Sequence, residues 1–287
     1  MKAADARVVL TGASGGIGRA TAVTLLEAGA TVMLVGRSPA KLAAQMRELV
    51  HRFDVSSSRV SWHAADLDEA AGIAEVRDSA RAWRANTLVL GAGLPSFGRL
   101  ETLAERDIAS VLHTNALSPM LLTQALLPHL RSLARAQVLL VGSALGSIGL
   151  PGFSVYSASK FALRGFAEAL RRELAGSAVR VQYLGPRSTR TGFNDERVER
   201  YNRATGTAMD PPERVAKALL RLLEDESAER FVGFPEALAV RLNGLAPALL
   251  DRAFVRHGRS LPSTAARAAG DAAAVRNDPQ RSFTPEP

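Results

Sequence analysis

Tyr156 and Lys160 stand four residues apart in the stretch YSASK. Four residues is about one turn of α-helix, so the phenol and the amine share a face. A free tyrosine has a pKa of about 10, too high for base work at neutral pH. A cation held close favours the phenolate and lowers that value, which makes the pair a candidate proton-transfer unit. The alternative is an ordinary helical turn with two polar side chains on one side. Ser143 closes the apolar run VLLVGS, thirteen residues before the tyrosine. Asn115 falls in HTNALSP, inside a helical stretch expected from about 101 to 130.

These groups need a scaffold to bring them together. From residue 7 to about 234, short apolar runs alternate with helical patterns. The runs are RVVLTG, TVMLVG, RVSWHAAD, NTLVLGAG, QVLLVGS, VRVQYLGP and RFVGFP. They are near-continuous in Val and Leu, the pattern of strands buried on both faces. GRATAVTLLEAG ends at Gly29, a helix stop. SPAKLAAQMRELVHRF opens with Ser38 as a cap and Pro39 at the first helical position. Repeats of this kind predict an α/β domain whose parallel sheet is covered on both faces. Ligands then bind at the carboxyl ends of the strands, where Ser143 lies.

The first strand runs into TGASGGIGRA, with Gly12, Gly16 and Gly18 spaced G-x3-G-x-G and Ser14 and Ile17 among them. Missing Cβ atoms permit a tight turn and let a pyrophosphate approach the backbone, where a helix N-terminus faces it. A glycine-rich turn without a ligand is the alternative. The second strand ends in VGRSP, with Arg37 and no acid. An arginine here suits a 2′-phosphate, so NADP is favoured over NAD; a solvent-exposed loop arginine is the other reading. Asp66, ahead of Leu67, could accept a bond from an adenine amino group or cap the next helix.

The ordered set of TGASGGIG at 11, AADL at 64, GAG at 91, Asn115, Ser143, Tyr156 and Lys160 resembles the short-chain dehydrogenase/reductase family over about 230 residues. The resemblance implies a Rossmann-type doubly wound sheet of about seven strands in a three-layer αβα arrangement. It implies a general acid/base at Tyr156, a nicotinamide-ribose contact at Lys160, a substrate contact at Ser143, and a water-mediated proton relay supported by Asn115. Cofactor contacts would come from Gly12, Ser14, Gly16, Ile17, Gly18, Arg37, Asp66, Leu67, Gly91, Ala92, Gly93, Pro186 and either Thr189 or Thr191, besides Tyr156 and Lys160. It also implies a homodimer or homotetramer built on the helices containing Asn115 and Tyr156. Two places depart from the family pattern. Gly91 stands where an asparagine is usual, and Gly185-Pro186 inverts the usual Pro-Gly. The expected activity is NADP-preferring interconversion of a carbonyl and a secondary alcohol. The rival is a cofactor-binding regulatory or scaffold protein with the same fold.

Composition narrows the field. The 287 residues contain no cysteine, and His51, His63, His113, His129 and His257 show no metal-ligand spacing, so no metal site is expected. The net charge of +8 comes from scattered residues, which argues against nucleic-acid binding. With no membrane-spanning run and no signal-peptide pattern, a cytoplasmic location is expected. Residues 1–235 are expected to form the cofactor-binding catalytic domain, with a polar lid at about 192–208 that carries Phe193 and Tyr201. Residues 236–259 form a second segment, where Leu238, Leu242, Leu245 and Leu249 recur at helical spacing among Arg241, Arg252 and Arg256, interrupted by Pro247. Two readings stay open for 236–257: a basic amphipathic helix at an anionic membrane surface serving a lipid-like ketone, or a cap on the substrate cleft or a subunit contact. Residues 260–287 have too little apolar surface to offset their ordering entropy and are expected to be disordered.

Overall fold

The computed structural model describes residues 1–55, 58–233, 236–249, 251 and 253–261. Its centre is a seven-stranded sheet, all parallel, in the order β3-β2-β1-β4-β5-β6-β7. The strands are β1 (Arg7–Thr11), β2 (Thr31–Gly36), β3 (Val60–Ala64), β4 (Thr87–Leu90), β5 (Ala136–Val141), β6 (Val179–Gly185) and β7 (Glu229–Phe231). The seven apolar runs therefore become the seven strands. Alternate residues face opposite layers. Val8 and Leu10 join one buried cluster with Leu25, Leu42 and Leu219, while Val9 joins the other with Val76, Leu126 and Leu163. Burial on both faces is why the central strands read as unbroken Val and Leu. The edges differ: β3 leaves Trp62 38% exposed, and β7 is only half-buried. An edge strand has a neighbour on one side only, so RVSWHAAD tolerates Ser, Trp and His.

The first layer of helices holds α1 (Gly16–Glu27), α2 (Pro39–Phe53) and, late in the chain, α8. Ser38 caps α2 by accepting from Lys41 N, and Gly29, at φ 93°, follows the end of α1. The opposite layer holds α3 (Ala70–Ala82), α4 (Glu105–Leu112), α5 (Ser118–Arg131) and α6 (Ser154–Glu173). The expected single helix from 101 begins later, and a π turn at His113–Leu117 joins α4 to α5, with Ser118 N–H bonded to His113 O. Pro119 has no N–H to return to the Asn115 carbonyl, which fits this local widening. Beyond β6 come α7 (Glu196–Thr205), α8 (Pro212–Asp225), α9 (Glu236–Leu245) and α10 (Val255–Arg259).

The helix α9 stops two residues before Pro247, as the sequence predicts. Val240 is buried, whereas Leu242 and Leu245 are exposed. Ser260 and Leu261 are among the described residues, and Leu261 packs against the cluster of Phe97, Val198 and Tyr201. Arg252 and residues 262–287 lie outside the described residues. Among the described residues, no helix is long and apolar enough to cross a membrane.

Candidate active site

The sheet order reverses between β1 and β4, and the crevice beyond their carboxyl ends is the natural ligand site of such a sheet. Four connections converge there: the glycine turn after β1, Gly91–Gly93 after β4, Ser143 after β5, and the loop from Pro186 after β6. Gly12 adopts φ +67° and lies so close to the β4 connection that a Cβ would stand 2.6 Å from Gly91 O. A Cβ on Gly18 would overlap Gly12 O. The first turn of α1 has no side-chain cap, so its N–H groups are free for an anion. Ile17 is half-buried behind the turn in the cluster containing Leu25. Ser14 sits beside Gly36, and exposed Arg37 follows with no ion-pair partner among the described residues. A cradle closed to side chains and open to an anion fits the phosphates of a dinucleotide.

Asp66 does not cap α3; its carboxylate accepts from Asp68 N at 3.1 Å, and the cap position belongs to Glu69. Leu67 packs half-buried against the cluster on the α3 side. Thr11, which sequence reasoning passed over, takes up the role opened by Gly91. Its hydroxyl accepts from Gly91 N at 3.0 Å and Ala92 N at 3.2 Å and stitches β1 to β4. Gly93 lies over Asn115 and Lys160, with room for no more than a hydrogen: a Cβ would stand 3.2 Å from Asn115 Oδ1.

Asn115 is fully buried. Its Oδ1 accepts from Leu94 N at 2.7 Å, and its Nδ2 donates to Leu94 O and to Ser159 Oγ. Asp68 was also missed by sequence reasoning. It accepts from Thr114 at 2.6 Å and Ser118 at 2.7 Å, which pins the π turn around Asn115 to the β3 connection.

Tyr156 and Lys160 do share a face of α6. The Tyr156 hydroxyl lies beside the Ser143 side chain, and Lys160 Nζ lies 5.7 Å from the Tyr156 ring centroid. Ser143 Oγ also accepts from Leu145 N at 3.0 Å. Lys160 is buried, donates to Val141 O at 3.3 Å and pairs with no carboxylate among the described residues. Burial pushes the Tyr156 phenol up to about 12, and the Ser143 hydrogen bond only partly opposes it. Burial pulls the Lys160 ammonium down to about 8. In the chain alone the tyrosine is thus raised and not lowered, because burial sets the shift.

An unpaired buried ammonium is costly below its folded pKa. Removing it should stabilise the cofactor-free protein. Lys160→Met is expected to raise unfolding free energy at pH 7 by up to about 3 kcal/mol. That difference should shrink as pH rises from about 8 towards the unfolded value of 10.5, where the ammonium is lost from both states. Urea unfolding at pH 7 and pH 10 measures it; an equal or lower stability of the variant at pH 7 would contradict it.

The loop after β6 separates the two candidate threonines. Thr189 is buried and donates to Arg187 O, whereas Thr191 lies against Gly16 of the glycine turn. Pro186 O accepts from Ala144 N at 2.8 Å, which ties this loop to Ser143. The Gly185-Pro186 order has a packing reason: Gly185 ends β6, and a Cβ there would overlap the Phe231 ring. Arg187 and Asp210 form a two-point ion pair at 2.8 and 2.9 Å that fixes the loop to the start of α8.

The substrate side is aromatic. Phe153 and Phe193 lie 6.4 and 6.0 Å from the Tyr156 ring. Phe97 packs on Phe153 at 4.9 Å and on Tyr201 at 5.1 Å. The C-terminal segment closes over this wall. His257 packs at a tilt against Tyr201, Arg256 donates to Ala204 O, and Asn243 donates to Ser147 O.

The chain is similar to known proteins over most of its length. The profile of the short chain dehydrogenase family matches residues 6–202. A 3-ketodihydrosphingosine reductase of Bacteroides thetaiotaomicron is 31% identical over 190 residues, 66% of each chain. Dehydrogenase/reductase SDR family member 7B of Xenopus tropicalis is 31% identical over 85% of this chain and 83% of its own. An NADPH-bound short chain oxidoreductase of Pseudomonas aeruginosa PAO1 superposes with a TM-score of 0.71 at 25% identity, covering 80% of this chain and 97% of its own.

Proposed function

Because the chain belongs to the short-chain dehydrogenase/reductase family, whose relatives are named reductases and dehydrogenases and include an NADPH-bound oxidoreductase, we propose that it reduces the carbonyl of a lipid-like ketone to a secondary alcohol with NADPH. The observation that carries this reading is the Tyr156 hydroxyl beside the Ser143 side chain, with buried Lys160 near its ring and paired with no acid among the described residues. When bound, the reduced nicotinamide supplies a hydride to the carbonyl carbon. Tyr156 delivers the proton to the carbonyl oxygen, a direction suited to a phenol that burial keeps protonated. Ser143 has one lone pair occupied by Leu145 N–H, which leaves its own hydrogen for that same oxygen. The Lys160 ammonium, near the Tyr156 ring, would hold the ribose of the bound cofactor and stabilise the tyrosine oxygen's developing charge. Asn115 fixes the Gly93–Leu94 backbone over the lysine and supports a water relay. Of the two threonines, Thr191 is the one assigned to the nicotinamide side.

The aromatic wall and the reductase relative of Bacteroides thetaiotaomicron both favour a long-chain substrate. The contacts of 240–261 with the lid and with Ser147 favour the C-terminal segment as a cap on that cleft. Exposed Leu112, Leu117 and Phe161 on the helices around Asn115 and Tyr156 supply an apolar face for a second copy.

Unpartnered Arg37 carries the preference for NADP. Fluorescence titration should show NADPH bound more tightly than NADH. Arg37→Asp should weaken NADPH by about tenfold or more and leave NADH no worse. Tighter NADH binding by the unaltered chain would overturn the preference.

A further inference from the structure

We propose that Tyr183 is a positioning residue that sets Ser143 for the reacting carbonyl, an inference that rests on the carbonyl-reductase reading above. Tyr183 stands on β6, with its ring fully buried beside β5. Its hydroxyl accepts from Ser143 N–H at 3.0 Å and donates to Ser143 C=O at 2.8 Å. One oxygen thus holds both main-chain groups of a single residue. The place matters: Gly142 N bonds Leu184 O and Ala144 N bonds Pro186 O, so Ser143 lies between two main-chain bonds to β6 and its loop while its own N–H and C=O turn to the phenol. With both main-chain groups held, Ser143 is extended, φ −163° and ψ 159°. That conformation leaves its side chain beside the Tyr156 hydroxyl.

The surroundings are cut to admit this phenol. A Cβ on Gly142 would overlap the ring and its oxygen, and a Cβ on Gly146 would overlap the oxygen. A Cβ on Gly146 would also stand 2.7 Å from the Lys160 carbonyl. Gly146 thus lets the connection after Ser143 lie close to both the phenol and the Lys160 turn of α6. A phenylalanine would fill the volume equally well, so volume alone does not account for the hydroxyl.

The test is a double-mutant cycle on the full chain, with the best ketone substrate and NADPH. Tyr183→Phe is expected to lower kcat by roughly 10- to 100-fold, with NADPH affinity unchanged. In a Ser143→Ala background, the same change should cost less than about twofold, because nothing remains to be positioned. Tyr183→His keeps a ring with a donor and an acceptor. It should fall between the two and serves as the second variant if the phenylalanine form does not fold. Equal losses with and without the Ser143 hydroxyl would mean that the tyrosine is only structural and would overturn the inference alone. An unaltered chain that turns over no ketone would overturn the inference together with the reading beneath it.

Discussion

Tyr156→Phe should lower the rate of carbonyl reduction by about 10²–10⁴-fold while NADPH still binds. The variant keeps the ring that packs near Phe153 and Phe193, and it loses the hydroxyl that carries the proton. Ser143 is the nearest remaining hydroxyl, and a serine is too weak an acid to replace the phenol. The pH dependence should carry the same signature. Reduction needs the protonated phenol, so its rate should be level through neutral pH and fall as pH climbs towards the tyrosine value, about 12 in the chain alone. Oxidation of the alcohol needs the phenolate and should rise with pH over the same range. A cofactor-bound Lys160 ammonium moves both limbs to lower pH. Steady-state rates across pH, with cofactor affinity measured in parallel, check each part. Near-normal turnover by the variant would remove Tyr156 from the chemistry.

Gly18→Ala should weaken NADPH binding by at least about 100-fold, which corresponds to roughly 2.7 kcal/mol. The added methyl would meet Gly12 O and the Ala13 backbone, and neither can swing aside as a side chain would. Either α1 moves off the turn or the turn opens; both misplace the N–H groups that face the pyrophosphate. Overpacking of this kind should also cost about 1–3 kcal/mol of stability. Gly16→Ala is the matched control. Its methyl would meet Thr191 of the loop after β6 rather than the backbone of the turn, so that loop must shift while the turn keeps its shape, and the effect on binding should be smaller. Fluorescence titration and urea unfolding read the two effects. Wild-type affinity in the Gly18 variant would mean that the turn does not hold the phosphates.

Much of the fold was legible because its signals are local. Each central strand is an unbroken apolar run, and Ser38 and Gly29 mark helix ends by chemistry that needs no tertiary context. The placement of Ser143, Tyr156 and Lys160 in one cleft followed from a strand end and a four-residue helical spacing. What stayed hidden depends on partners distant in sequence. Thr11 supports Gly91 and Ala92 across 80 and 81 residues. Tyr183 reaches Ser143 across 40, and nothing in VRVQYLGP says which way its hydroxyl turns. Asp68 appeared as one more acid in a polar connection, although it ties down the turn at Asn115. The π turn did leave a trace: a proline four residues after Asn115 cannot return a hydrogen bond to its carbonyl. The tyrosine is raised in the chain alone because it is buried, and burial is invisible in the sequence.

The most direct test is NADPH consumption by the purified chain on ketones running from short-chain to long-chain, with the Tyr156→Phe variant beside it. Carbonyl reduction at this site predicts turnover that improves as the apolar chain lengthens and that collapses in the variant. NADPH binding without turnover of any ketone would contradict a carbonyl reductase and favour a cofactor-binding regulatory protein.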